Sequence, residues 1–126
     1  MFILFIVNKK KRLVFIETSE SLKAGLPAKM TIQVLNARRR PYKVDENTNL
    51  KLSSTSVTGR FDLNATGAFD GSVSSVVISK ESNSVSFYYR DSEIGTVEIE
   101  AQESPDKGWK RSTYKFTIQQ DSQEEV

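Results

Sequence analysis

Carboxylates, hydroxyls and amines are the whole chemical repertoire of this chain, because it contains no histidine and no cysteine. Without histidine it lacks the commonest general base and the commonest transition-metal ligand. Without cysteine it has no thiolate nucleophile, no thiolate metal site and no disulfide. Ser–His and Cys–His nucleophile pairs are therefore impossible. Paired carboxylates remain, and Glu98 and Glu100 share a parity on one expected strand. Glycoside hydrolysis needs two carboxylates flanking a cleft. Two outward acids on a strand read instead as a solvated face, which also discourages edge-to-edge pairing. No catalytic residue is expected, and the chain reads as a non-enzyme.

Oxygen-rich loops are the next candidates. Asp45, Glu46, Asn47 and Asn49 share one connection, Asp70 precedes Gly71 in another, and Asp91 and Glu93 stand in a third. Calcium wants about six to eight oxygen ligands from such loops. None of the three has EF-hand spacing. Asp and Asn are expected here for turn chemistry, bonding their own backbone. No cofactor is expected, and calcium is the one ion the loops leave open. Trp109, Tyr88 and Tyr42 could form an aromatic platform for sugar rings. The competing role for Trp109 is to cap one end of a core.

The positive charge falls in three runs: Lys9–Arg12, Arg38–Arg40, and Lys107, Lys110 and Arg111. Sixteen acidic residues are spread along the same chain, and the net charge is only +2. Separate solvated loop charges are expected, and no nucleic-acid partner. Met1–Val7 is apolar and precedes the first basic run, the reverse of signal-peptide order. Seven residues also fall short of the roughly 20 needed to cross a bilayer. Residues 1–12 read as an extension or extra strand, and no membrane insertion of the domain is expected.

The elements that would carry these residues are strands. Val85, Phe87 and Tyr89 alternate with Ser84, Ser86 and Tyr88; Val97, Ile99 and Ala101 alternate with Glu98, Glu100 and Gln102. Period-two alternation marks half-buried strands. Asp91–Gly95 is the turn between them, with Gly95 free to take positive φ. Similar runs are Leu13–Thr18, Met30–Leu35, Leu50–Ser53, the pair Phe61 and Leu63, Val73–Ser79, and Tyr114–Ile118. The run Val76, Val77, Ile78 suggests an irregularity. Ser19–Ala28 reads as a connection, and Glu103–Lys107 as a turn. Turn signals recur about every ten residues, the spacing of an all-β sandwich or barrel.

Four stretches then carry a family resemblance. LKAGLPAKMTIQV (22–34), NTNLKLSS (47–54), TGRF (58–61) and SFYYRDSEIGTVEIEA (86–101) occur in that order. Together they resemble the bacterial immunoglobulin-like domains of surface proteins, across residues 13–119. The last stretch is the most specific. The family's short turn after the second strand usually holds a glycine, where this chain has three arginines at Arg38–Arg40. The resemblance implies an immunoglobulin-like sandwich of two antiparallel sheets with seven to eight strands, followed by a polar tail or linker at 120–126. It implies a non-catalytic structural or adhesive module, a spacer or stalk in an extracellular or cell-surface protein of a bacterium or archaeon. Its partners would be neighbouring domains of the same chain, and a polysaccharide or another surface protein. The alternative is a carbohydrate-binding module attached to an extracellular enzyme, with contacts at Trp109, Tyr88 and Tyr42.

Overall fold

The computed structural model describes residues 10–18 and 21–120. The expectations for Met1–Val7, for the start of the first basic run and for the tail beyond Gln120 lie outside the described residues. Nine strands are present among them: β1 (Arg12–Ile16), β2 (Ser21–Lys23), β3 (Ala28–Leu35), β4 (Thr48–Ser54), β5 (Arg60–Asp62), β6 (Ser75–Ile78), β7 (Ser84–Arg90), β8 (Gly95–Glu103) and β9 (Ser112–Gln119). They form two sheets, ordered β1-β3-β7-β5 and β2-β9-β8-β4-β6. The fold is the expected immunoglobulin-like sandwich, with nine strands where seven to eight were expected.

Alternation decides which side chains meet between the sheets. Met30, Ile32, Val34, Phe61, Phe87 and Tyr89 come from the first sheet; Leu50, Leu52, Val76, Ile78, Val97, Ile99, Ala101, Phe116 and Ile118 come from the second. The rings interlock, with Phe61 against Phe87 and Tyr89, and Tyr89 edge-on to Phe116 at 5.7 Å between centroids. Each such aromatic removes a large apolar area from water, the main favourable term for a disulfide-free domain of this size.

Four local expectations are corrected. β6 is regular: Val76 and Ile78 point inward and Val77 is exposed. Leu63 lies outside β5 and is exposed, because that strand ends at Asp62. The connection 19–28 contains β2, whose single buried residue, Leu22, is too little to show a period. Glu103 belongs to β8 rather than to a turn, and it keeps the inward parity of Val97, Ile99 and Ala101.

The first and last strands set the path of the chain. β1 lies in the first sheet and ends at Ile16, and Glu17 directly after it has a left-handed φ of 52°. β2 then joins the second sheet, parallel to β9, with Leu22 opposite Ile118. Further back, Arg12 bridges Lys110, also in parallel. At Arg12 and again at Ser21–Lys23 the chain thus runs in the same direction as the segment Lys110 to Gln119. It enters at one pole of the sandwich and leaves at the other, roughly 30 Å away at about 3.3 Å per strand residue.

Candidate functional site

At the exit pole, inward parity on β7 continues past the strand end. Phe87 and Tyr89 are followed by Asp91, which is 3% exposed. The Tyr89 hydroxyl donates to Asp91 Oδ2 at 2.8 Å and lies 2.8 Å from Ser54 Oγ. Thr58 Oγ1 donates to Asp91 Oδ1 at 2.5 Å, and the Glu93 amide reaches the same oxygen at 3.0 Å. Ser56 Oγ lies 3.1 Å from Thr58 Oγ1. A Cβ at Gly59 would fall 2.0 Å from the Tyr89 hydroxyl, so only glycine fits there. The stretches NTNLKLSS (47–54), TGRF (58–61) and FYYRD (87–91), separate in sequence, therefore meet in one polar cluster.

Burial alone would raise the Asp91 carboxyl, but the hydroxyls of Ser56 and Thr58, the Glu93 amide and the Tyr89 hydroxyl outweigh it. The group is held below its ordinary value. Burial drives the Tyr89 phenol well above its ordinary value, and the Asp91 charge adds to this while the Ser54 hydroxyl opposes it. The Tyr89 hydroxyl thus stays protonated and links Ser54 to Asp91. A cleft of about 400 Å³ opens beside it, lined among others by Ser54, Arg60, Phe61 and Asp70. Arg60 is committed to the carbonyls of Val57 and Gly59.

The other oxygen-rich loops hold their own backbone. Asp62 accepts from the Asn64 and Phe69 amides, and Asp70 from the Ser72 amide. Asp70 is also held low by the Ser72 side chain and amide. A Cβ at Gly67 would lie 2.1 Å from the Asp62 carboxylate, so that loop too is fitted around its acid. Asn47 accepts from the Lys80 amide, and Glu46 pairs with Lys107. Among the described residues no group of three or more acids gathers as a metal cage would need.

The three aromatic candidates stand on different elements. Tyr88 is half-buried on the outer face of β7, between Lys29 of β3 and Asp62 of β5. Tyr42 packs partly against the core, and the Lys11 ammonium sits 4.5 Å over its ring. Trp109 also packs partly against the core, as a cap would. Its amide and that of Lys107 both donate to Glu103 Oε2 at 2.9 Å. Tyr88 lies opposite Lys29, six residues along β3 from Leu35, which pairs with Arg12. That puts it roughly 20 Å from the entry pole, where Tyr42 and Trp109 stand. Among the described residues none of the three makes a ring contact with another aromatic.

At the entry pole the structure joins what the sequence keeps apart. Arg12 bridges Lys110 and pairs with Leu35 at the end of β3, one residue before the arginine turn. That turn is rigid: Asn36 Oδ1 accepts from the amides of Arg38 and Arg40, and Asn36 and Arg40 also bond through their backbones. Arg39 takes the left-handed φ of 61°, a conformation that glycine adopts at no steric cost. Lys10, Arg12, Ala37 and Lys110 line a second cleft, of about 490 Å³. Strand order alone brings the three basic runs together, and the linear sequence holds no signal for it. For Asp91 and Glu103 a signal existed in their inward parity.

No family model and no curated protein sequence matches the chain. Solved structures do. A structure of domains 4 and 5 of the S-layer protein SbsC superposes with a TM-score of 0.54 at 10% identity, over 85% of this chain and 50% of that one. A lipoprotein from Bacteroides thetaiotaomicron gives 0.51 at 16% identity, over 89% and 81%. A β-glucuronidase of glycoside hydrolase family 2 gives 0.61 at 19% identity, over 88% of this chain but 11% of the enzyme. The chain thus spans half of the S-layer structure and a small part of the enzyme. At these identities the likeness establishes the immunoglobulin-like β-sandwich fold.

Proposed function

We propose that this chain is a non-catalytic spacer or stalk module of a larger bacterial or archaeal cell-surface or secreted protein, working through neighbouring domains of the same chain. The observation that carries the reading is the pole-to-pole path. Tension between the two poles loads the β2–β9 ladder and the Arg12–Lys110 bridge along the strands, so their hydrogen bonds resist together in shear. These bonds include Ala24 N to Gln119 O at 2.8 Å, Leu13 N to Lys110 O at 3.0 Å and Lys110 N to Lys11 O at 2.9 Å. The polar cluster around Tyr89 serves as a brace in this reading. The same architecture in an S-layer protein, in a lipoprotein and in a minor part of a β-glucuronidase agrees with a surface or secreted module, and with the resemblance to bacterial immunoglobulin-like domains. The alternative of a sugar-stacking module draws no support from rings that stand apart.

Single-molecule pulling on a tandem of this chain is the test. Discrete unfolding peaks are expected. Ala24→Pro removes the amide that donates to Gln119, and the peak force should fall. Extension without peaks, or an unchanged peak force in the variant, would overturn the load-bearing path.

A further inference from the structure

The entry-pole cleft has no part in the spacer reading. Its lining is Lys10, Arg12, Lys110 and the neutral Ala37, so its charge is of one sign. The ion pairs Lys107–Glu46 and Arg111–Glu100 involve neither Arg12 nor Lys110. Arg12 Nε is buried without a hydrogen-bond partner. A buried donor left unsatisfied in this way costs free energy that an acceptor in the cleft would recover. Glu46 pairs with Lys107, while Glu103 accepts the Lys107 and Trp109 amides at Oε2 and leaves Oε1 buried without a partner. Arg38–Arg40 are exposed and held in a fixed turn directly after Ala37.

We propose that this cleft, with the adjoining Arg38–Arg40 turn, binds an acidic polysaccharide through its carboxylate or sulfate groups. Guanidinium and ammonium groups bind such anions through charge-assisted hydrogen bonds. The concave shape takes a single sugar-sized unit, whereas an anionic membrane presents a flat surface. The arginines outside the cleft extend the positive surface beyond one anionic group, which fits a chain of repeated charges. Single-stranded nucleic acid would need open rings for base stacking. Here the Tyr42 face is covered by Lys11 and Trp109 is packed against the core. The proposal stands apart from the spacer reading, since a mechanical peak and glycan retention are separate measurements.

The experiment is affinity electrophoresis and calorimetry of the full chain on polygalacturonate, with neutral dextran, a thymidine oligonucleotide and phosphatidylglycerol vesicles as comparators. Binding to polygalacturonate and no retention by dextran are expected. Binding should vanish between about 0.1 and 1 M salt, as the screening length falls from about 10 to about 3 Å. Lys110→Gln combined with Arg39→Asn should weaken it about tenfold or more, from the loss of charge-assisted bonds. Asn tolerates the left-handed backbone at position 39, so the turn is kept. Lys29→Gln, on the outer face beside Tyr88, removes charge far from the cleft and should leave binding unchanged. Equal weakening by Lys29→Gln would reduce the effect to net charge and overturn the proposal. Equal retention by dextran, or tighter binding to the oligonucleotide or the vesicles, would overturn it as well.

Discussion

Replacing Tyr89 with phenylalanine removes one oxygen atom from a fully buried ring and leaves the ring contacts with Phe61 and Phe116 in place. The loss is therefore almost purely polar. Asp91 Oδ2 loses the donor at 2.8 Å, and Ser54 Oγ keeps only the Ser56 amide as a partner. A hydrogen bond to a buried charge is worth about 1.5–3 kcal/mol, and a stranded acceptor adds to the cost, so a loss of about 2–3 kcal/mol is expected. With a urea slope of about 1–3 kcal/mol per M, the midpoint should fall by roughly 1–2 M with the slope unchanged. The pH dependence identifies the source. The folded Asp91 carboxyl is held below its ordinary value, so its contribution is complete above the unfolded value of about 3.9. That contribution is lost as pH falls through the folded value. The gap between wild type and Tyr89→Phe should be full at neutral pH and shrink below about pH 4. A cost under about 0.5 kcal/mol at pH 7, within the spread of ordinary surface substitutions, would refute the brace. An equal cost in acid and at neutrality would show that the carboxylate is not its source.

Two further substitutions probe the connections. Gly95 has φ 139° and a Cβ there would touch nothing within 4 Å, so Gly95→Val should cost about 1–3 kcal/mol from backbone strain alone. An unchanged unfolding midpoint would contradict that. Glu103→Ala should release the Lys107 and Trp109 amides, destabilise the fold by about 1–3 kcal/mol and red-shift the emission of Trp109, the single tryptophan. Emission identical to wild type would mean that Glu103 does not hold the loop.

The sandwich was legible wherever alternation ran for several residues, as in Met30–Val34, Phe87–Tyr89, Val97–Ala101 and Tyr114–Ile118. Short elements escaped, because β2 buries only Leu22 and offers no period to read. Polar residues at inward positions were misjudged by type: Asp91 and Glu103 look like turn residues, yet their parity places them inside. In both cases buried donors outweigh the ordinary preference of a carboxylate for water. Arg39 shows the same priority of context, since its side-chain type gave no sign of a left-handed backbone. The meeting of Lys10, Arg12, Ala37 and Lys110 depends on which strands neighbour one another, and local pattern does not encode that.

The pairing of the first strands with the last has a consequence in time. The Tyr114 hydroxyl reaches back to the Thr18 carbonyl across 96 positions, and Leu22 waits for Ile118 as its neighbour. The edge of the second sheet cannot close before β9 has emerged. Contacts this distant in sequence slow folding, because the intervening loop must be ordered before they form. A nascent chain of this design keeps that edge open until β9 emerges.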